Sequence, residues 1–153
     1  MANIVFNIAK GRVTELYNRV ESNDPANSAI VLVPIETSGL EADATLIDAD
    51  TLTALLSGTT NEQTTMGRKV LTDADLAAFP APDDTNDRYE VSLPTVTWAA
   101  ATGNAISKIA VCYDSDTTGG TDANIIPLTM FDFVATPSGL DIQVTTGPIH
   151  RAA

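Results

Sequence analysis

The chain has 153 residues, with 8 Lys or Arg side chains against 20 Asp or Glu side chains, so its formal net charge is -12. This length fits a single domain spanning residues 1–153, and a hydrophobic content of 44% is typical of a folded chain rather than a disordered one. Nucleic acids and anionic membranes are bound by clustered cations, so the acidic balance argues against both as partners.

The N-terminal segment predicts a short strand over Asn3–Phe6 and then a helix with Asn7 as its N-cap. Lys10, Arg12 and Arg19 lie on the polar face of this helix. They fit either a solvated face above a core stripe or a surface that attaches to an acidic partner, and we take them as the candidate partner-binding residues. The apolar stripe at helical spacing consists of Ala9, Val13, Leu16, Tyr17 and Val20.

The middle of the first half predicts two strands and two short helices, and one of these strands is a short one around Arg68–Leu71. The β-branched run Ala29–Ile35 predicts a strand that is buried on both faces. Asp48 or Asp50 is the predicted cap of a helix that carries Leu52–Leu56. The segment Thr72–Phe79 opens with the spacing of a capping box and predicts a second brief helix.

A loop rich in proline and aspartate, residues 80–88, is the predicted internal boundary between a mixed α/β half and an all-β half. We expect an α+β fold in which the N-terminal mixed strand/helix part packs on an antiparallel β-sheet or small β-sandwich formed mainly by the C-terminal half. The last two predicted strands would form a hairpin about the turn 136–139. The strands predicted after the boundary are Tyr89–Leu93, Val96–Ala100, Ala105–Tyr113, Leu128–Val134 and Leu140–Thr145.

One loop resembles a calcium-binding loop. Asp114–Asp122 places oxygen-bearing residues at positions 1, 3, 5 and 9 with Gly at position 6, but the closing acidic residue is replaced by Ile125. We interpret it as a surface turn, with a looser site for a hard cation as the alternative. The acidic residues Asp83, Asp84 and Asp87 are interpreted as a solvated loop rather than a catalytic pair. No metal and no cofactor are expected.

The sequence predicts no catalytic site. Its one cysteine, Cys112, lies in an apolar run and is expected to be a buried hydrophobic residue, while the one histidine, His150, lies near the chain end and is not expected to reach it. We therefore expect a protein that is not an enzyme. The opening segment is too short for a signal peptide, and no apolar run approaches the roughly 18 residues of a membrane helix.

Several stretches together resemble a family of small proteins encoded in the structural-gene regions of tailed bacteriophages and prophages. The resemblance implies a virion structural protein, first a capsid decoration (cement) protein bound to the major capsid protein as a homo-oligomer, with a trimer favoured. A head-fibre, neck or tail accessory protein is the alternative, and a cytosolic non-catalytic binding module is the opposing class. The stretches are Asn7–Val13 with Glu15–Tyr17, Asn23–Ala29, Leu40–Leu46, Asp83–Arg88, and Val111–Asp114 with Thr121–Ala123.

Overall fold

The structure, a computed structural model, describes residues 4–152, and within them the chain is mostly β with a few short helices. The helices are α1 (Val13–Glu21), α2 (Asp43–Leu46) and α3 (Leu52–Leu55), with a 3₁₀ turn at Asn7–Ala9. The strands are β1 (Ile4–Val5), β2 (Ala29–Glu36), β3 (Lys69–Leu71), β4 (Tyr89–Ser92), β5 (Val96–Trp98), β6 (Ile106–Asp114), β7 (Ile126–Ala135), β8 (Ile142–Val144) and β9 (Pro148–Ala152).

The largest sheet is antiparallel, has five strands and runs in the order β1-β7-β6-β2-β3. Strand β6 is its centre, and every residue of β6 is buried. Three of the five strands come before the loop at 80–88 and two come after it. The N-terminal part therefore contributes strands to this sheet instead of only packing on it, although the two longest strands, β6 and β7, come from the C-terminal half. Side-chain alternation locates strands but does not say which of them pair.

Two smaller sheets have two strands each, β4 with β9 and β5 with β8. The predicted hairpin about residues 136–139 does not form, because β8 pairs with β5 in the register Val96↔Val144. The turn is held against the loop before β6 instead: the Gly139 N–H donates to Ala101 O at 2.7 Å, and the Ala101 N–H donates to Leu140 O at 2.9 Å.

The core lies between the large sheet and the elements that cover it. The run Ala29–Ile35 is buried throughout, which confirms a strand covered on both faces. The predicted apolar stripe of the first helical segment is also confirmed, since all five of its residues are at most 2% exposed. The hydrophobic effect on these two elements is therefore sufficient to dock α1 onto the sheet.

The first helix is shorter than predicted. The segment splits into the 3₁₀ turn Asn7–Ala9 and α1, because Gly11 between them adopts a φ of +78°, which a continuous right-handed helix does not allow. Asn7 does not cap a helix; its side-chain amide donates to the Asp48 carboxylate.

The other two helix predictions also need correction. The N-cap of α3 is Thr51, whose side chain accepts from the Ala54 N–H at 3.1 Å, and not Asp48 or Asp50. The segment after Thr72 forms its capping contact, with the Thr72 N–H donating to Asp75 Oδ2 at 2.9 Å, but it continues as a turn rather than a helix. Pro80 disfavours helical geometry in the residue before it, which leaves too few residues for a stable helix.

Candidate functional site

The predicted partner-binding residues lie together on the solvent side of α1 and on the turn before it. Arg12 and Arg19 both face Glu15: Arg19 Nε lies 3.0 Å from Glu15 Oε1, and Arg12 Nε lies 3.8 Å from Glu15 Oε2. Lys10 is exposed, and its Nζ donates to Asn7 Oδ1 at 2.6 Å. We call Lys10, Arg12 and Arg19 the α1 cation surface.

The α1 cation surface differs from the other ion pairs in its number of paired carboxylates. Glu15 is the carboxylate that pairs with Arg12 and Arg19, whereas Lys10 contacts the side-chain oxygen of Asn7. The other ion-paired cations among residues 4–152 lie next to carboxylates that equal or outnumber them. Glu15 and Arg19 lie where the helix dipole favours their charges, but Arg12 is the N-cap, where the dipole disfavours a cation. Helix stability therefore does not explain the position of Arg12, and these exposed cations can attract an acidic surface.

The loop Asp114–Asp122 holds its carboxylates in local hydrogen bonds. Asp114 Oδ1 accepts from the Asp116 N–H at 3.0 Å, and Asp116 Oδ1 accepts from the hydroxyl of Thr118 at 2.6 Å and from its N–H at 3.0 Å. The Thr118 hydroxyl and N–H together lower the pKa of Asp116. Asp122 points away to a salt bridge with Arg68. The oxygens do not converge on one point, so the geometry favours the surface-turn interpretation.

The loop at 80–88 closes on itself. The backbones of Asp83 and Arg88 exchange two hydrogen bonds, of 2.8 and 3.2 Å, and the Asp83 carboxylate accepts from Asn86 Nδ2 at 2.8 Å and from Arg88 Nε at 3.2 Å. The Asn86 contact is the main cause of a lowered pKa at Asp83. An open cleft of about 440 Å³ is lined by this loop and Tyr89. Of the carboxylates that line this cleft, Asp83 is already paired with Arg88.

Two ion clusters within the fold were missed by the sequence analysis. In the first, the Arg68 guanidinium makes bidentate contacts with Glu62, at 2.6 and 2.8 Å, and with Asp122, at 2.7 and 2.8 Å. The hydrogen bonds that Arg68 donates to Asp122 and then to Glu62 raise the pKa of Arg68, and the bonds to Asp122 lower the pKa of that carboxyl. This cluster joins the segment before β3 to the loop before β7.

The second cluster is centred on Lys108 of β6, whose side chain is fully buried. Its Nζ lies 2.6 Å from Asp132 Oδ1 on the neighbouring strand and 3.0 Å from Asp43 Oδ1 on α2. Burial alone would raise the pKa of the Asp132 carboxyl. Its pKa nevertheless lies below the ordinary aspartate value, and the hydrogen bond from Lys108 is among the contacts that lower it. A single lysine inside the buried run predicted at Ala105–Tyr113 was the signal for such a cluster.

Cys112 is buried in the middle of β6, as predicted, and burial raises the pKa of its thiol to about 12. His150 lies within β9, opposite Val91 of β4, rather than on a loose chain end. Its ring centroid is 6.5 Å from that of Tyr89. The Cys112 thiol, with its raised pKa, is protonated at neutral pH, which does not suit a nucleophile.

Within residues 4–152, no group of three or more His, Cys, Asp or Glu side chains is placed to hold a metal ion. The same residues contain no helix long and apolar enough to cross a membrane. Comparison of the chain with protein-family models, with curated proteins and with solved structures gives no match. The arrangement of surface charge on α1 is therefore the feature from which a function can be argued.

Proposed function

We propose that this protein is a non-catalytic structural component of a tailed-bacteriophage virion: a decoration protein that binds the outside of the major capsid shell as a homo-trimer. The proposal starts from the resemblance of five stretches of its sequence to small phage virion proteins. The α1 cation surface supports attachment through α1, because it gathers three of the 8 basic side chains at solvent-exposed positions on a chain whose net charge is -12.

The positions of the resembling stretches support this proposal. Asn7–Val13 contacts the residues that follow Leu40–Leu46, through the Asn7 N–H and Ile47 O at 2.9 Å. Asn23–Ala29 meets Val111–Asp114 in the large sheet, where Ala29 pairs with Asp114. These stretches are distant in sequence but lie next to each other in the fold, so the resemblance covers adjacent parts of one structure.

The electrostatics fit a protein on the outside of a shell. The acidic excess keeps free subunits apart and soluble before assembly and away from packaged DNA. Charged residues at the rim of an interface mainly steer association and set its orientation. The α1 cation surface would in this way direct the subunit onto an acidic patch of the shell.

The first experiment is quantitative mass spectrometry of purified particles of the phage or induced prophage that encodes the chain, combined with immunogold labelling. A capsid decoration protein is expected at tens to hundreds of copies, with label over the head. A few copies with label at the neck or tail would support the head-fibre, neck or tail alternative. Absence from the particles would overturn the proposal in favour of the cytosolic module.

The second experiment tests the attachment surface. Arg12→Glu/Arg19→Glu is expected to lower occupancy of particles at physiological salt without a change in the circular dichroism spectrum. The matched control is Arg88→Glu/Arg151→Glu, which makes the same change of charge on the β4–β9 sheet, where both arginines lie near Glu90. Equal occupancy by the two variants would mean that α1 plays no specific part in binding.

A further inference from the structure

One part of the surface lacks the charge that marks the rest of the molecule. The segment Val91–Ser107 contains no charged residue, and Phe133–Ile149 contains only Asp141, on a chain with 8 basic and 20 acidic side chains. Strands β5 and β8 lie within these segments and pair with each other. The loop after β5 and the loop after β7 contact each other at one end of this strand pair. We call these two segments the uncharged lobe.

The end of the uncharged lobe exposes apolar side chains on an ordered turn. Val134 and Leu140 are 78% and 72% exposed, the highest values among the large hydrophobic residues described, and they flank the turn at 136–139. Backbone hydrogen bonds between this turn and Ala101 hold it in place. Asp141 is exposed, and its Oδ1 accepts from the Ala100 N–H at 2.8 Å. The two apolar side chains are therefore presented by a fixed backbone rather than by a loose loop.

The carboxylate next to this end of the lobe is held by a hydrogen bond. Glu36, at the end of β2, borders the loop before β6, where its Oε1 accepts from Asn104 Nδ2 at 2.8 Å. The core of a protein interface is depleted of charged residues. The uncharged lobe shares this depletion, since Asp141 is its one charged residue, and it exposes the side chains of Val134 and Leu140.

We propose that the uncharged lobe is the surface through which copies of this chain bind one another. Two copies with a net charge of -12 each repel when acidic surfaces come within the Debye length, which is about 8 Å at physiological ionic strength. The uncharged lobe lessens this penalty where copies meet around an axis, because Asp141 is its one charged residue, whereas a basic partner would be recognised by the acidic surface instead. One such patch at one end of each subunit suits a closed, cyclic assembly with the patches near the axis.

This inference rests on the proposed function in one respect: it names the surface behind the proposed homo-oligomer. Sedimentation velocity and equilibrium on the full-length protein across a wide range of concentration provide the test, without any particle. Wild type is expected to form a closed oligomer. Val134→Glu/Leu140→Glu is expected to raise the dissociation constant of self-association by about 100-fold or more, because like charges then face each other in an apolar contact.

The matched control is Thr53→Glu/Ala54→Glu on α3, which adds the same two negative charges at exposed positions outside the lobe. It is expected to associate as wild type does. Wild type that stays monomeric at every concentration, or a lobe variant that associates as tightly as the control, would overturn the inference. Neither result changes the outcome of the particle experiment. Conversely, absence of the protein from particles would not change a measured self-association. Failure of this inference and failure of the proposed function are therefore distinguishable.

Discussion

Replacing Lys108 with methionine is the sharpest test of how the interior is held together. Methionine has a similar length and no charge, so Lys108→Met removes the cation while largely keeping the packing. It leaves Asp43 and Asp132 without the ammonium that lies 3.0 and 2.6 Å from their Oδ1 atoms. The variant therefore measures the effect of the charge rather than of a cavity.

The expected cost follows from the burial of the three groups. Removing one partner of a buried ion pair typically destabilises a protein by about 3–5 kcal/mol. Asp43 and Asp132 keep 28% and 18% of their side-chain surface exposed, so water screens part of the penalty. We expect the lower end, about 3 kcal/mol. At roughly 2–4 °C per kcal/mol for a chain of this size, Tm should fall by about 6–12 °C.

Urea denaturation at several pH values separates the charge effect from packing. Because the folded-state pKa of Asp132 is lowered, its contribution to wild-type stability is present above the ordinary aspartate pKa, about 3.9, and is lost as pH falls through the folded value. Without Lys108, Asp132 loses one of the contacts that favour its charged form while burial still disfavours that form, so the difference between variant and wild type should shrink as pH falls. The matched control, Lys10→Met on the surface, should change stability by less than about 0.5 kcal/mol. A Lys108→Met protein as stable as wild type at neutral pH would refute this reasoning.

Two further predictions concern single features of β6 and the loop after it. Cys112 should react with Ellman's reagent only as fast as the protein unfolds, because its buried thiol has a pKa near 12; rapid modification of the folded protein would contradict this. Millimolar calcium should shift Tm by less than about 1 °C, because the carboxylates of the loop Asp114–Asp122 already accept local hydrogen bonds or pair with Arg68. A rise of several degrees that is reversed by chelator and lost in Asp114→Ala would make the loop a cation site.

Local sequence patterns predicted the buried elements well, because hydrophobic burial decides them directly. The continuous run in β2 and the helical stripe that ends at Val20 were both found buried as expected. The predicted ends of these elements were less accurate where a single residue changed the backbone conformation, as Gly11 does before α1. Hydrophobic periodicity reports which face of a segment is covered but not where the backbone must turn.

Strand pairing and the ion clusters could not be predicted from local pattern, because both depend on segments far apart in sequence. Strand β8 has the alternation of a hairpin partner for β7, yet its hydrogen bonds go to β5. Lys108 could be recognised as a charge inside a buried run, but nothing near it in sequence identified Asp43 as a partner. The same limitation applied to Arg68, whose two carboxylates come from the segment before it and from the loop before β7.

The distribution of the few cations links the stability of this fold to its proposed role. Arg68 and Lys108 each hold two carboxylates and join elements that are distant in sequence. Their charge is already paired within the fold, so it is not offered to a partner. The exposed cations on α1 are thus separated from the charges that stabilise the interior, and the uncharged lobe is separated from both. Contacts with an acidic shell and contacts between copies can in this way use different surfaces without weakening the core.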